Sequence, residues 1–158
     1  MTYVQNSKGR ESTLPLTQDN TRPSGPKGAI LLVEDNPMNQ RVARYVLKTL
    51  GYEVNIAING IEAVDMFKKQ PYDLVLMDCH MPVMDGYEAT RLIREWESKT
   101  AWHRQVPIIA VTADVLTSSY ELCFEVGMND FLPKPYEASD LRRILRQWLP
   151  PRGAAMRG

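Results

Sequence analysis

The stretch Ala29-Ile30-Leu31-Leu32-Val33-Glu34-Asp35-Asn36-Pro37 sets five apolar residues directly before two acids, an amide and a proline. Five apolar residues without polar alternation read as a short strand buried on both faces. Asn36 is a helix cap by type, and Pro37 suits the first helical position, where its missing N–H costs nothing. Val42, Val46 and Leu50 then recur at helical spacing, and Gly51 stops the helix. The unit is a buried strand, an acidic turn and a helix.

The same unit recurs downstream. Glu53–Ala57 reads as a second strand. Asn59, with Glu62 three residues on, resembles a capping box and opens a helix whose apolar stripe is Ile61, Val64 and Phe67. Pro71 precedes a third strand, Leu74–Met77. Asp85 with Glu88 opens a third helix, with Leu92 and Trp96 on one face. Val106–Val111 is the fourth strand, and Ser118 with Glu121 opens a fourth helix that ends at Gly127. Phe131 and Leu132 lie in a short fifth strand, followed by a last helix marked by Leu141, Ile144, Leu145 and Trp148. Strict alternation predicts a doubly wound α/β fold: a five-stranded parallel sheet with five helices on its two faces.

The flanks differ in composition. Residues 1–27 have few large apolar groups and many Ser, Thr, Asn, Gly and Pro, so they are expected to form a flexible linker or tail. Residues 28–149 form the domain, and 150–158 a short tail with Pro150, Pro151 and Gly153. The formal charge is +2 over 1–27, +2 over 151–158 and −4 over 28–150. A mildly acidic domain argues against nucleic acid as a direct ligand. The longest strongly apolar run, Ala29–Val33, is far short of the ~20 residues of a spanning helix, and no signal pattern opens the chain. A cytoplasmic protein without direct membrane contact is the expectation. Cys79 and Cys123 lie 44 residues apart without CxxC spacing, so neither a disulfide framework nor a zinc site is expected.

The residues at the strand ends carry the chemistry. Glu34 and Asp35 follow the first strand, Asp78 the third, Thr112 the fourth and Lys134 follows the fifth. Ligands of open α/β sheets bind at the carboxyl ends of the strands, so three carboxylates, a hydroxyl and an ammonium converge on one rim. Clustered carboxylates repel one another and call for a hard cation with open water positions, which suits Mg²⁺. Asp78 can then attack phosphorus as a carboxylate nucleophile, while Lys134 and Thr112 hold the remaining oxygens. Singly, each residue has a plainer explanation: a solvated acidic pair, a turn former, a capping hydroxyl, a surface lysine. Their joint placement at successive strand ends decides for the site.

Residues 28–149 resemble the receiver domains of two-component response regulators. The matching stretches are Leu32-Val33-Glu34-Asp35-Asn36, the segment from Met77 to Gly86, Val111-Thr112-Ala113 and Lys134-Pro135. The Asp-Asn-Pro-x-Asn-Gln opening from Asp35, and the segment from Met81 to Thr90, look most like receivers of hybrid sensor histidine kinases. The resemblance implies a flavodoxin-like strand order 2-1-3-4-5. It implies that Asp78 is the phosphoacceptor, forming a 4-aspartylphosphate with slow autodephosphorylation. Mg²⁺ would be held by Glu34, Asp35, Asp78 and the main-chain carbonyl of His80, with Thr112 and Lys134 against the phosphoryl group and a cis Lys134–Pro135 bond. It further implies a packing switch from Thr112 to Phe131, which has the ring but not the hydroxyl of the more frequent Tyr. His80 and Asp114 stand where the family tunes loss of phosphate. The implied partners are a histidine kinase or a histidine phosphotransfer protein, and the implied state a monomer or weak dimer.

Other features admit two readings. Trp96, Trp102 and His103 lie in or beside the loop Ser98–Gln105, whose plain role is to cover the third helix. Arg142, Arg143 and Arg146 make a basic stripe, read as a solvated face. Met38 is either core or an exposed part of the helix end that docks a histidine-bearing partner. Among rival functions, an aspartate phosphatase of the haloacid-dehalogenase type needs a second acid two residues after Asp78, where this chain has His80. A flavodoxin-like flavin protein needs a Gly/Ser/Thr phosphate loop after the first strand, where this chain has acids. A pure interaction module would not need all five site residues.

Overall fold

The computed structural model describes residues 27–100 and 104–149. The expected linker over 1–27 (all but Lys27), the tail from 150, and Trp102 and His103 lie outside the described residues. Five strands and five helices alternate: β1 Ala29–Val33, α1 Pro37–Thr49, β2 Glu53–Ala57, α2 Gly60–Lys69, β3 Leu74–Asp78, α3 Gly86–Lys99, β4 Ile108–Thr112, α4 Thr117–Val126, β5 Asp130–Pro133 and α5 Ala138–Trp148. All strand pairs are parallel, in the order β2-β1-β3-β4-β5. This is the doubly wound sheet expected from the sequence.

Alternation along the strands splits the core into two layers, because successive side chains leave opposite faces. Leu31, Val33, Val75, Met77, Ile108 and Ala110 pack beneath α2, α3 and α4. Ile30, Leu32, Leu74, Leu76, Ile109 and Val111 pack against α1 and α5. Both layers are apolar, so β1, β3 and β4 read as continuous hydrophobic runs. Cys79 and Cys123 are free thiols buried in the first layer.

Several helix faces differ from the sequence expectation. On α1 the buried residues are Ala43 and Leu47, whereas Val42 is 56% exposed. On α2, Ile61 is also exposed, and Gly60, Ala63, Val64 and Phe67 turn inward. In both cases the buried arc includes an alanine, Ala43 on α1 and Ala63 on α2. Asn36, Asn59 and Asp85 cap α1, α2 and α3 as expected, each accepting backbone N–H groups.

Some boundaries move. The strand expected at Val106–Val111 is Ile108–Thr112. Pro107 has no N–H to donate, and the Val106 N–H is drawn off to the buried Glu97 carboxylate at 3.0 Å. The Ser118–Glu121 capping box does not form. Helix α4 starts two residues earlier, at Thr117, with Leu116 in place of Ser118 at the cap and no side-chain cap. Asp114 organises the turn instead, accepting the Leu116 N–H at 3.1 Å and the Ser119 hydroxyl at 2.6 Å.

Candidate functional site

All five site residues lie at the carboxyl edge of the sheet. Asp78 closes β3 and Thr112 closes β4, while Glu34 and Asp35 follow β1 and Lys134 follows β5. Glu34, Asp78 and Thr112 are buried, and Asp35 is exposed. The Lys134 ammonium stands 3.2 Å from Glu34 Oε1 and 3.2 Å from Asp78 Oδ2, bridging β1 and β3 from the far edge of the sheet. The Lys134 N–H donates to the Thr112 carbonyl at 2.8 Å, and the Lys134–Pro135 peptide is cis. The other Asp78 oxygen accepts the His80 N–H at 3.3 Å. Thr112 Oγ1 accepts the Asp114 N–H at 2.9 Å.

The charges are unbalanced. Burial pushes the Asp78 carboxyl above the ordinary aspartate range, against the pull of the Lys134 ammonium, and the Glu34 charge adds to the rise. Burial acts to lower Lys134, but the Asp78 and Glu34 carboxylates outweigh it and hold its pKa above the ordinary lysine range. Carboxylate oxygens of Glu34, Asp35 and Asp78 all lie within 4.8 Å of one another, the one such acidic grouping among the described residues. Three carboxylates against one ammonium leave negative charge uncompensated, two of the acids being buried. An all-oxygen donor set of this kind fits a hard divalent cation, with one exposed acid leaving the cleft open to water.

The backbone keeps this rim tight. A Cβ on Gly86 would collide with the Asp78 carbonyl oxygen, and one on Gly60 would come within 2.6 Å of the Met84 carbonyl. The loop between β3 and α3 is thereby clamped against the start of α2, and the Gly86 N–H closes it on the Cys79 carbonyl at 3.0 Å. Val83 in that loop takes φ 74° with its side chain out in solvent, an uncommon conformation for a β-branched residue.

Residues 30–146 match the response regulator receiver domain family. The chain belongs to that family. It is 49% identical to the receiver domain of a sensor histidine kinase from Pseudomonas aeruginosa PAO1, a structure with magnesium coordinated in its active-site cleft. That match covers 79% of this chain and 98% of the other, with a TM-score of 0.69. The receiver domain of a Saccharomyces cerevisiae response regulator, solved with a histidine phosphotransfer protein, is 33% identical, with a TM-score of 0.72 over 78% of this chain and 90% of that one. A hybrid signal transduction histidine kinase of Dictyostelium discoideum is 48% identical over 119 residues, covering 71% of this chain. The chain spans 6% of that kinase and 16% of two plant histidine kinases it also matches. It is a receiver domain of two-component phosphorelay signalling, with a flavodoxin-like fold.

Some partners of the receiver site were not expected from the sequence. Asn39 and Gln40 hold Glu34, Tyr120 stacks on Phe131, and Ser119 binds Asp114. Asn39 and Gln40 lie five and six residues after Glu34, a spacing at which the first turn of α1 brings them back to it. Met38, left open in sequence, is 63% exposed.

Proposed function

We propose that this receiver takes a phosphoryl group onto Asp78 from a phosphohistidine of a partner protein. An Asp78 carboxylate oxygen forms a bond to phosphorus as the phosphorus–nitrogen bond breaks, and the imidazole leaves with the electron pair. The observation that carries the reading is the Lys134 ammonium set equidistantly from Asp78 and Glu34, in a cleft with a surplus of carboxylate. From that position it can follow a phosphoryl oxygen as charge develops there. Glu34, Asp35, Asp78 and the main-chain carbonyl of His80 would hold Mg²⁺. When bound, the cation offsets the negative charge of the cleft and of the phosphoryl oxygens. Thr112, once its hydroxyl turns from the Asp114 N–H, would donate to the phosphoryl group.

The partner would be a histidine kinase or a histidine phosphotransfer protein, as in the yeast relative's complex. Met38, Val42 and Tyr45 stand out along α1, and Ile58, Ile61 and Val83 rim the same edge of the sheet. Such an apolar edge around the acceptor suits a helical partner delivering its histidine. We read the chain as the receiver part of a cytoplasmic hybrid histidine kinase, active as a monomer or weak dimer and losing its phosphate slowly by its own catalysis. None of the described helices is long and apolar enough to cross a membrane.

Acetyl phosphate with Mg²⁺ tests the reading. It should add one phosphoryl group, labile to base and hydroxylamine, and Asp78→Asn should abolish the label. Full labelling of that variant at another residue, or labelling unchanged in excess EDTA, would sink the assignment.

A further inference from the structure

Glu34 is the first residue to leave β1, yet its position is fixed from three directions. Oε1 faces the Lys134 ammonium at 3.2 Å. Oε2 accepts the Asn36 N–H at 3.1 Å and lies 3.5 Å from the Asn39 side-chain amide. The Gln40 side-chain amide donates to the Glu34 main-chain carbonyl at 2.7 Å, the shortest of these contacts. Asn39 and Gln40 sit in the first turn of α1, a 13-residue helix packed on the sheet through Ala43 and Leu47. Glu34 is thus tied to a rigid element rather than left to a free turn.

The chemistry of the tie matters. A carboxylate that must be ordered as a cation arrives loses rotamer freedom at that moment, and binding weakens accordingly. Neutral amides order it beforehand without adding positive charge, so the field of the cleft is kept for the cation. We propose that Asn39 and Gln40 are positioning residues for the cation site, holding Glu34 in binding geometry through its carboxylate and its backbone. This rests on the reading that Glu34, Asp35 and Asp78 hold a divalent cation. Partners one shell removed from a metal carry about 10–100-fold of its affinity. A role confined to capping α1 would instead cost stability whether or not a cation is present.

Calorimetric titration of the full chain with MgCl₂ alone, beside melting curves in EDTA, separates the two. Gln40→Leu should weaken Mg²⁺ binding by about tenfold or more, and Asn39→Ala by less, because its contact is longer. Asn39 is exposed, so Asn39→Ala should melt in EDTA like the wild type and carries the test even where Gln40→Leu fails to fold. With acetyl phosphate, both variants should need more MgCl₂ for half-maximal labelling of Asp78 and recover the wild-type maximum at saturation. Unchanged Mg²⁺ affinity in the variants, or a maximal rate that stays low at saturating MgCl₂, overturns the positioning role. A wild-type chain that binds no Mg²⁺ overturns the cation reading itself, and this inference with it.

Discussion

The Phe131 ring lies almost flat on Tyr120, with centroids 4.0 Å apart and planes inclined by 16°, while Phe124 meets its edge at 6.2 Å. Phe131 is half-buried at the start of β5, one strand away from Thr112. If phosphorylation draws Thr112 toward the cleft, Phe131 can fill the vacated space only by leaving this stack. On that mechanism Tyr120 would act as a latch on the unphosphorylated packing. A stacked aromatic pair contributes about 0.5–1.5 kcal/mol beyond its buried area, a roughly 2- to 12-fold bias between two packings. Tyr120→Ala should move the NMR signals of residues 112–140 part of the way toward their beryllofluoride-bound positions before any ligand is added. Thr112→Ala should leave Asp78 reactive but uncouple Phe131 from it. Spectral changes confined to residues touching the ligand would mean that no such switch exists.

Asp78 is held against its own charge. Burial and the Glu34 charge together raise its pKa more than Lys134 and the His80 N–H lower it, so the folded state binds a proton on Asp78 more readily than the unfolded chain does. The ionised carboxylate then destabilises the fold above the ordinary aspartate range, and the penalty disappears on acidification below it. In EDTA at pH 7, Asp78→Asn should melt several degrees above the wild type, and the gap should close as the pH falls through the carboxylate range. Lys134 has the opposite sense: its pKa is raised, so its contribution is complete below the ordinary lysine range and is lost as the pH climbs through the raised value. A gap for Asp78→Asn that widens toward acid pH would contradict this electrostatic picture.

Gly86 opens α3 where the backbone of Asp78 passes too close for any side chain. A Cβ there would meet the Asp78 carbonyl oxygen and come within 2.8 Å of the Met77 side chain. Neither neighbour can retreat, since both are fully embedded in the central strand. Gly86→Ala should cost about 1–3 kcal/mol as an overpacked site and displace Asp78, so labelling should fall even below the melting temperature. Melting and labelling of this variant at wild-type levels would show that the loop has slack absent from this structure.

The fold was legible because its three inner strands, β1, β3 and β4, are buried on both faces and therefore appear as unbroken apolar runs, each ending in a polar group. The rim was legible for the same reason: Glu34, Asp78, Thr112 and Lys134 each stand at the boundary between such a run and a turn. Helix faces were less legible. Val42 and Ile61 follow helical spacing but look outward, since the close-packed arc belongs to Ala43 and Ala63, which propensity does not mark as core. The start of α4 was misplaced because Ser118 and Glu121 match a capping box by type, while the turn is held by Asp114 two residues beyond Thr112. Partners far apart in sequence, such as Tyr120 with Phe131, have no local signature at all.

Arg94 and Glu97 show how much a charged helix pair can conceal. By sequence they are an ordinary i,i+3 pair on α3, worth a few tenths of a kcal/mol at an exposed site. In the fold Glu97 is buried and Arg94 largely so, with Arg94 Nη1 2.8 Å from Glu97 Oε1. Arg94 also donates to the Gly127 carbonyl at 2.9 Å and to the Asn129 side chain at 2.7 Å, while Glu97 Oε2 accepts the Val106 N–H. Asn129 Oδ1 in turn accepts the Ile108 N–H at 2.8 Å. One network thus joins α3, the end of α4 and the entrances to β4 and β5, at the edge of the sheet opposite Asp78. Removing one partner strands the other as a buried charge, a loss of about 3–5 kcal/mol. Arg94→Met should therefore destabilise the chain far more than Arg91→Met, whose i,i+3 partner Glu88 is half-exposed. Glu97→Gln should cost less, because the amide can still accept from Val106. The double variant Arg94→Met with Glu97→Gln should recover part of the loss, since no unpaired charge remains. Urea melts of the four variants measure this directly, and equal stabilities for Arg94→Met and Arg91→Met would show the network to be solvated after all.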